Sequence, residues 1–132
     1  MLRQTQPGGP PPQTLLLGVG TGPQQAALAR AEGADLIDVR GATPGALAAI
    51  RASLPAGVLW TDQRTDPLDA DELAAKAGVA GCAAVIATAA VCTWLGAPVV
   101  RSRHTRAVRR SIDMTASIAG HRPPSHAVRG LA

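Results

Sequence analysis

Phenylalanine and tyrosine are absent from this sequence of 132 residues, and its aromatic side chains are two tryptophans. Apolar residues still make up 46% of the chain, which is close to the average of globular domains, so a packed core can form. Because alanine supplies much of that fraction, each buried position removes less apolar surface from water than leucine or phenylalanine would. We therefore expect one domain with a thin core and modest stability, assisted by a partner chain.

Cysteine is nearly absent as well, with Cys82 and Cys92 as the two examples. They lie in an alanine-rich segment that we predict to be helical, and nearly three helical turns between them are too many for a disulfide bond. Their spacing and the scattered positions of the three histidines do not fit a zinc site. We expect buried, reduced thiols in a cytoplasmic protein, and no metal.

The sequence lacks the hydrophobic segments of exported or membrane-bound proteins. Residues 1–13 are rich in proline, glycine and glutamine without the apolar centre of a signal peptide, so we expect a disordered N-terminal segment. Residues 77–100 are uncharged and long enough to span a bilayer, but glycines and Pro98 interrupt them. We interpret this stretch as a helix followed by a strand and expect no membrane insertion.

Negative charge is scarce near the C-terminus. The net charge is +4, and residues 101–132 hold seven of the 13 basic residues but only one of the nine acidic ones, Asp113. Such a basic region can meet phosphate, nucleic acid or an acidic partner. A solvated helix face explains the same pattern, and we favour it. A basic interaction module that binds nucleic acid is kept as an alternative.

Short apolar runs alternate with helical segments along the chain. We predict strands over residues 14–19, 34–39, 58–61 and 98–102, each followed by a helix, with a polar loop at 62–69. This order indicates an α/β fold with a mostly parallel sheet. About four parallel strands are too few for a closed eight-stranded barrel, so we predict a partial, half TIM-barrel-like arrangement. The domain would cover residues 14–122, with a flexible tail at 123–132.

Polar residues follow the predicted strands, where parallel α/β proteins bind their ligands. Arg101 and Arg103 alternate along the last strand and could converge on one phosphate, with His104 adding a donor or a proton. Asp38 lies at the end of the second strand and Asp62 follows the third, and both could accept hydrogen bonds from the N–H groups of a heterocycle. Each aspartate could equally cap a turn.

A dinucleotide-binding reading rests on the first turn. Gly18 and Gly20 close the first strand before a helix, and Asp38 ends the second strand, where a ribose-binding acid would lie. Pro23 occupies the third glycine position of that fingerprint and cannot provide the close packing required there. A plain turn between strand and helix explains the same residues.

Several segments resemble the dihydropteroate synthase (pterin-binding) family. Residues 33–45, GADLIDVRGATPG, are similar to the family segment GADIIDVGGESTRPG. Residues 95–105, LGAPVVRSRHT, resemble its last strand, IVRVHDV, and residues 112–124, IDMTASIAGHRPP, resemble its closing helix and G-x-R-P-P ending. Residues 59–62, LWTD, are more weakly similar to the I-S-V-D-T strand, whose aspartate contacts the pterin. The matches belong to the two ends of the family's barrel, so the middle of that barrel is missing.

The resemblance implies a pterin-binding-like domain and suggests which residues contact the substrate. These residues are Asp62, Arg101, Arg103, Asp38, Thr43 and His104. Other family features are lost. Residues 18–22 replace the asparagine of the N-V-T-P-D-S-F segment, residues 42–43 shorten the E-S-T-R segment, and the R-x-H histidine is shifted to position 104. The D-x-N strand and the S-R-K lysine have no counterpart. We assign no catalytic residue and expect a pseudoenzyme in a folate or pterin context, with lost or much reduced synthase activity.

An enzymatic alternative depends on assembly with further chains. An active transferase, joining a pterin methyl diphosphate to p-aminobenzoate, would need to be completed by other copies or a companion subunit, and only such an enzyme would use Mg²⁺. A half-barrel also leaves strand edges that proteins usually cover. We therefore expect a homo-oligomer or a companion subunit, with a pterin-type small molecule as ligand.

Overall fold

Strands and helices alternate in the computed structural model of the chain, which describes residues 13–63, 66–79 and 81–120. The strands in these ranges are β1 (Leu15–Val19), β2 (Leu36–Asp38), β3 (Leu59–Trp60), β4 (Leu68–Asp69) and β5 (Val99–Ser102). The α-helices are α1 (Pro23–Ala31), α2 (Pro44–Ser53), α3 (Ala70–Lys76), α4 (Cys82–Trp94) and α5 (Thr105–Ile118). The α/β prediction is confirmed. The predicted N-terminal segment, except residue 13, and the predicted tail lie outside the described residues.

Local sequence signals explain where the helices begin and end. The side chain of Thr43 caps α2 by accepting a hydrogen bond from the Ala46 N–H, and Pro44 fits the first helical turn. Asp69 caps α3 in the same way through the Glu72 N–H. Gly33 follows α1 with a φ of 108°, which favours glycine because it has no Cβ. These residues account for the helix ends that the structure shows.

All five strands of the sheet are parallel, in the order β3-β2-β1-β5-β4. β1 therefore lies at the centre, with the second and last strands of the chain on either side of it. Helices connect β1 to β2, β2 to β3 and β4 to β5, and the strands of each pair are neighbours in the sheet. The next strand after β3 in the described residues, β4, lies at the opposite edge of the sheet.

The strand β4 is a correction to the predicted fold. It lies in the stretch 62–69 that we predicted as a polar loop, and it makes five strands in the described residues where we predicted about four. Leu68 and Asp69 pair with Val100 and Arg101 of β5. Two residues are too short to show a period of hydrophobicity, so tertiary pairing with β5 decides their conformation.

Every helix packs against the same face of the sheet. Leu16 and Val100 lie in one apolar cluster with residues from α3, α4 and α5, and Ile37 lies in a second cluster with residues from α1 and α2. Gly18 belongs to this face too, since a Cβ there would lie 3.1 Å from the Ala29 Cβ of α1. Seven of the 16 buried residues in the two clusters are alanines, as the composition predicts.

The opposite face carries the alternate residues of the strands. The register pairs Leu17 with Arg101, Asp38 with Trp60, and Asp69 with Arg101, so their side chains share this second face. Asp38, Trp60 and Asp69 end their strands, and Arg101 is the penultimate residue of β5. The second face therefore collects polar side chains at the carboxyl edge of the sheet.

The long uncharged stretch 77–100 is divided between elements as predicted. α4 takes 13 residues of it, and β5 begins after Gly96, Ala97 and Pro98. Among the residues that the structure describes, no helix combines the length and the apolar character needed to cross a bilayer.

Candidate functional site

An ion-pair network joins three strands at the carboxyl edge of the second face. The Nε of Arg101 donates to Asp38 at 2.8 Å, and its Nη1 donates to Asp69 at 2.6 Å. The three residues belong to β5, β2 and β4. Asp38 comes before β3 in the chain, whereas Asp69 and Arg101 come after it. One guanidinium group therefore connects the N-terminal and C-terminal halves of the chain. The structure thus brings together two of the predicted site residues, Arg101 and Asp38.

Arg40 completes the coordination of Asp38. Its Nε and Nη2 form a fork on the carboxylate at 2.9 and 2.8 Å, and its backbone N–H donates at 3.1 Å. Burial alone would raise the pKa of Asp38, but the hydrogen bonds from Arg40 and Arg101 outweigh it and lower the pKa to about 2. With four donated hydrogen bonds on a carboxylate that has about four acceptor positions, Asp38 has no capacity left for a ligand.

A polar cavity of about 420 Å³ opens beside this network. Its lining residues are Arg40, Asp66, Pro67, Asp69, Glu72 and Arg101. Two guanidinium groups therefore face three carboxylates, and both guanidinium groups are already bonded to Asp38. The local charge is negative overall, so the cavity favours a neutral or cationic ligand that carries hydrogen-bond donors over a phosphate.

Trp60 stands next to Asp38 on the same face. The two are register partners on neighbouring strands, and the side chain of Trp60 is half-buried. Its indole Nε1 is buried and has no hydrogen-bond partner among the described residues. A planar aromatic surface therefore lies within one strand spacing of the ion-pair network.

Arg103 and His104 lie outside this network, and the convergence of Arg101 and Arg103 on one anion stays a prediction. β5 ends at Ser102, so the alternation of side chains stops before Arg103, whose side chain is exposed. The Arg103 backbone N–H donates to Asp71 at 2.9 Å, and the His104 N–H donates to the Ser102 hydroxyl at 3.0 Å. His104 is exposed and precedes α5 as its N-terminal cap residue.

The remaining predicted site residues take two different positions. Thr43 is exposed and caps α2 through the hydrogen bond to Ala46, so its hydroxyl has a structural partner. Asp62 is exposed and near Arg40. The hydrogen bond to Asp38 raises the pKa of Arg40, burial partly opposes this, and the charges of Asp66 and Asp62 add to the rise.

The first turn lacks the features of a dinucleotide site. A Cβ on Gly20 would lie 2.7 Å from the Ala26 Cα and 2.7 Å from the Ile37 Cγ2, so this glycine permits close packing of α1 against β2. Asp38, the candidate ribose acid, is saturated by the two arginines. Packing therefore explains the glycine, and ion pairing explains the aspartate.

The basic C-terminal region is partly neutralised where it is described. Arg109 donates to Asp35 and to Asp113, each at 2.7 Å, and joins α5 to the segment before β2. Arg106 and Arg110 are exposed on the same helix. Within the ranges that the structure describes, no three histidine, cysteine or acidic side chains are grouped to hold a metal ion.

Comparison with known proteins adds no relative. No protein-family model matches the chain, and neither a curated protein nor a solved structure is similar enough to it to count as a match. The likeness to the pterin-binding family therefore remains a prediction from the residues quoted above.

Two residues of the network were not among the predicted site residues. Arg40 follows Asp38 by two positions, and this spacing was the available signal, because an aspartate side chain often accepts a hydrogen bond from the backbone N–H two residues on in a turn. Asp69 was predicted only as the last residue of the polar loop 62–69. Its place in the network depends on β4, which has no sequence signal of its own.

Proposed function

We propose that this chain is a shortened, dihydropteroate synthase-like protein that binds a pterin-type ring at the carboxyl edge of its sheet and lacks synthase activity. The observation that carries the proposal is the network of Asp38, Arg101 and Asp69, which lies beside a polar cavity at three strand ends. It occupies the position where parallel α/β proteins bind their ligands.

The strand order supports the proposal that this sheet is derived from a (β/α)₈ barrel. In a closed (β/α)₈ barrel each strand neighbours the next, and the last strand closes onto the first. Removal of three middle units would leave the third, second, first, last and penultimate strands side by side. The order β3-β2-β1-β5-β4 is this order, and every helix packs on one face, as on the outside of a barrel. A doubly wound sheet would carry helices on both faces.

The chemistry of the cavity supports a pterin ring as ligand. A pterin carries an amino group and a ring N–H as donors and a carbonyl oxygen as acceptor. The carboxylates of Asp69 and Glu72 can accept from the donors, and the guanidinium of Arg101 can donate to the carbonyl. The indole of Trp60 offers a flat surface on the same face.

The same chemistry favours binding over transfer. A synthase must stabilise a departing pyrophosphate, which needs cationic groups that are free to meet it. Arg101 is instead held by two carboxylates, and Arg103 lies beyond the strand with its side chain exposed. We therefore expect the ring to contribute most of the affinity, and the diphosphate little or none.

A calorimetric titration tests the proposal. We expect saturable binding of 6-hydroxymethylpterin to the purified protein, with similar affinity for its diphosphate and no heat with pyrophosphate alone or NAD. Addition of p-aminobenzoate to the diphosphate complex should release no pyrophosphate. Release of pyrophosphate at enzymatic rates would show that the protein is an active transferase. Absence of pterin binding would refute the proposal.

Matched variants assign the binding to the cavity. Asp69→Asn keeps a side chain that can cap α3 but removes one negative charge, so pterin affinity should fall about tenfold, the effect of one lost charged hydrogen bond. Asp113→Asn removes a charge from an ion pair on α5, away from the cavity, and should leave the affinity unchanged. Equal affinities of both variants would place the ligand elsewhere.

A further inference from the structure

The guanidinium group of Arg101 is fixed from two sides of its strand. Its Nε donates to Asp38 at 2.8 Å, and its Nη1 donates to Asp69 at 2.6 Å. The strands β2 and β4, which carry these aspartates, lie on opposite sides of β5 in the sheet. An arginine carries further N–H donors in the same rigid plane, so these two bonds determine the direction of the rest. The remaining donors have no protein partner among the described residues, and Arg101 lines the polar cavity.

Asp38 acts on the cavity only through Arg101. It is not one of the residues that line the cavity, its side chain is 5% exposed, and its acceptor positions are occupied. The fork and the backbone N–H of Arg40 orient the Asp38 carboxylate, which in turn orients the Arg101 guanidinium. Arg40 stands where the similar family segment, GADIIDVGGESTRPG, has glycine. The resemblance does not supply this arginine, so the arrangement is a feature of this chain.

Asp69, the other partner of Arg101, remains open to a ligand. Its side chain is 19% exposed and lines the cavity. Its Oδ2 accepts from Arg101 and its Oδ1 accepts from the Glu72 N–H at 3.0 Å, which leaves about two acceptor positions on the carboxylate. Asp69 and Arg101 therefore present an acceptor and donors side by side. A lactam edge, where a ring N–H stands beside a carbonyl, offers the complementary donor and acceptor.

We propose that Asp38 is a positioning residue that fixes Arg101 beside Asp69, so that this pair binds the lactam edge of the ring and selects a ring carbonyl over a ring amino group. This role rests on the proposed function and names the edge of the ring that is bound. An amino group in place of the carbonyl would set its N–H donors against those of the guanidinium, and both would remain unpaired. Pterins and guanine share this lactam edge, so guanosine is a second source of the same chemistry.

Titration of the unmodified protein with two rings tests the selection. 2,4-Diaminopteridine keeps the ring system and the 2-amino group of pterin but replaces the carbonyl with an amino group. Near neutral pH, where both rings are uncharged, it should bind at least about tenfold more weakly than pterin, the cost of one unpaired polar group. Equal affinities would overturn the selection and leave ring binding intact, whereas absence of binding by every ring would overturn the proposed function as well. Of pterin and guanosine, the tighter ligand identifies the source, and either one supports the lactam edge.

Variants at the two aspartates that bracket β2 test the positioning role. Asp38→Asn removes the charge that orients Arg101, so the ratio of the pterin and diaminopteridine affinities should fall towards one. A merely structural role would weaken the binding of both rings alike and leave the ratio unchanged, which would overturn the proposal. The control is Asp35→Asn, because Asp35 also forms a long-range ion pair, with Arg109 at 2.7 Å, but lies before β2, at the sheet edge away from the cavity. Its ratio should equal that of the unmodified protein.

Nuclear magnetic resonance tests the same role in the unmodified protein and does not depend on the folding of Asp38→Asn. The Nε–H of Arg101, assigned by its loss in Arg101→Lys, should be ordered before any ligand is added, with an order parameter near the rigid-backbone value of about 0.85. The exposed Arg110 should be more flexible by comparison. Addition of pterin should shift the Arg101 signal without changing its order. A flexible Arg101 in the ligand-free protein would show that Asp38 does not fix it and would overturn the proposal.

Discussion

Asp38 combines burial with full charge compensation, which makes it the most consequential single side chain of the site. Its side chain is 5% exposed, yet its pKa lies at about 2 because Arg40 and Arg101 hold it in the ionised form. A buried carboxylate with these partners contributes to folding only while it is ionised. Protonation would leave two guanidinium groups facing a neutral acid.

The stability of the protein should therefore depend on Asp38 at low pH. The folded-state pKa is lowered from 3.8 to about 2, so the stabilisation is complete above pH 3.8 and is lost as the pH falls towards 2. At about 1.4 kcal/mol per unit, this carboxylate contributes about 2 kcal/mol. Urea unfolding of the protein and of Asp38→Asn should show their stabilities approaching each other by that amount between pH 4 and pH 2. A constant difference across this range would contradict the assignment.

Residue-level prediction from the sequence succeeded where one strand supplied the signal. Asp38 and Arg101 were placed correctly at strand ends, because each follows an apolar run that reads clearly as a strand. The pairing between them was not predictable, since 63 positions separate them in the chain. The end of β5 at Ser102 is the predicted one, and Arg103 lies beyond it, where the alternation of a strand does not determine the direction of a side chain.

At the scale of elements, α3 is the helix that depends most on contacts beyond itself. It has seven residues, which is too short for a stable helix in isolation. Asp71 in its first turn accepts the Ser102 hydroxyl at 2.6 Å and the Arg103 N–H at 2.9 Å. Ser102 is fully buried, so loss of this acceptor would leave a buried hydroxyl without its bond.

Asp71→Ala should therefore destabilise the protein by about 2 kcal/mol, the cost of a buried polar group left unpaired. The control is Glu72→Ala in the same turn, because Glu72 is exposed and forms a surface ion pair with Lys76. That change should alter the free energy of unfolding by less than about 0.5 kcal/mol. Chemical denaturation of both variants measures the difference, and equal values would show that Asp71 does not hold α3 to β5.

Element boundaries could largely be predicted because glycine, proline and capping residues mark them. Thr43, Pro44 and Gly33, which are residue types typical of helix ends, stand at helix ends in the structure. The edge strand β4 could not be predicted in this way. Its existence depends on the backbone of β5, and Asp69 serves both as the last strand residue and as the helix cap.

At the scale of the whole molecule, the strands in the middle of the sheet are paired more completely than those at its edges. β1 pairs with strands on both sides, whereas β3 and β4 have two residues each and one described neighbour. Amide hydrogen exchange should therefore be slowest in β1, at Leu16 and Leu17, and fast in β3 and β4. Nuclear magnetic resonance can measure this, and uniform protection across the five strands would contradict it.

The passage of the chain from β3 to β4 divides the molecule into two contiguous pieces. Residues before this crossing form β1, β2 and β3 with their helices, and residues after it form β4 and β5 with theirs. A parallel seam between β1 and β5 and the ion pairs Asp38–Arg101 and Asp35–Arg109 join the pieces. A polypeptide arranged in this way can be supplied as two fragments, cut between residues 61 and 67, that recognise each other through the seam. The polar cavity would then form only when both fragments are present, because one fragment carries Asp38 and Arg40 and the other carries Asp69 and Arg101.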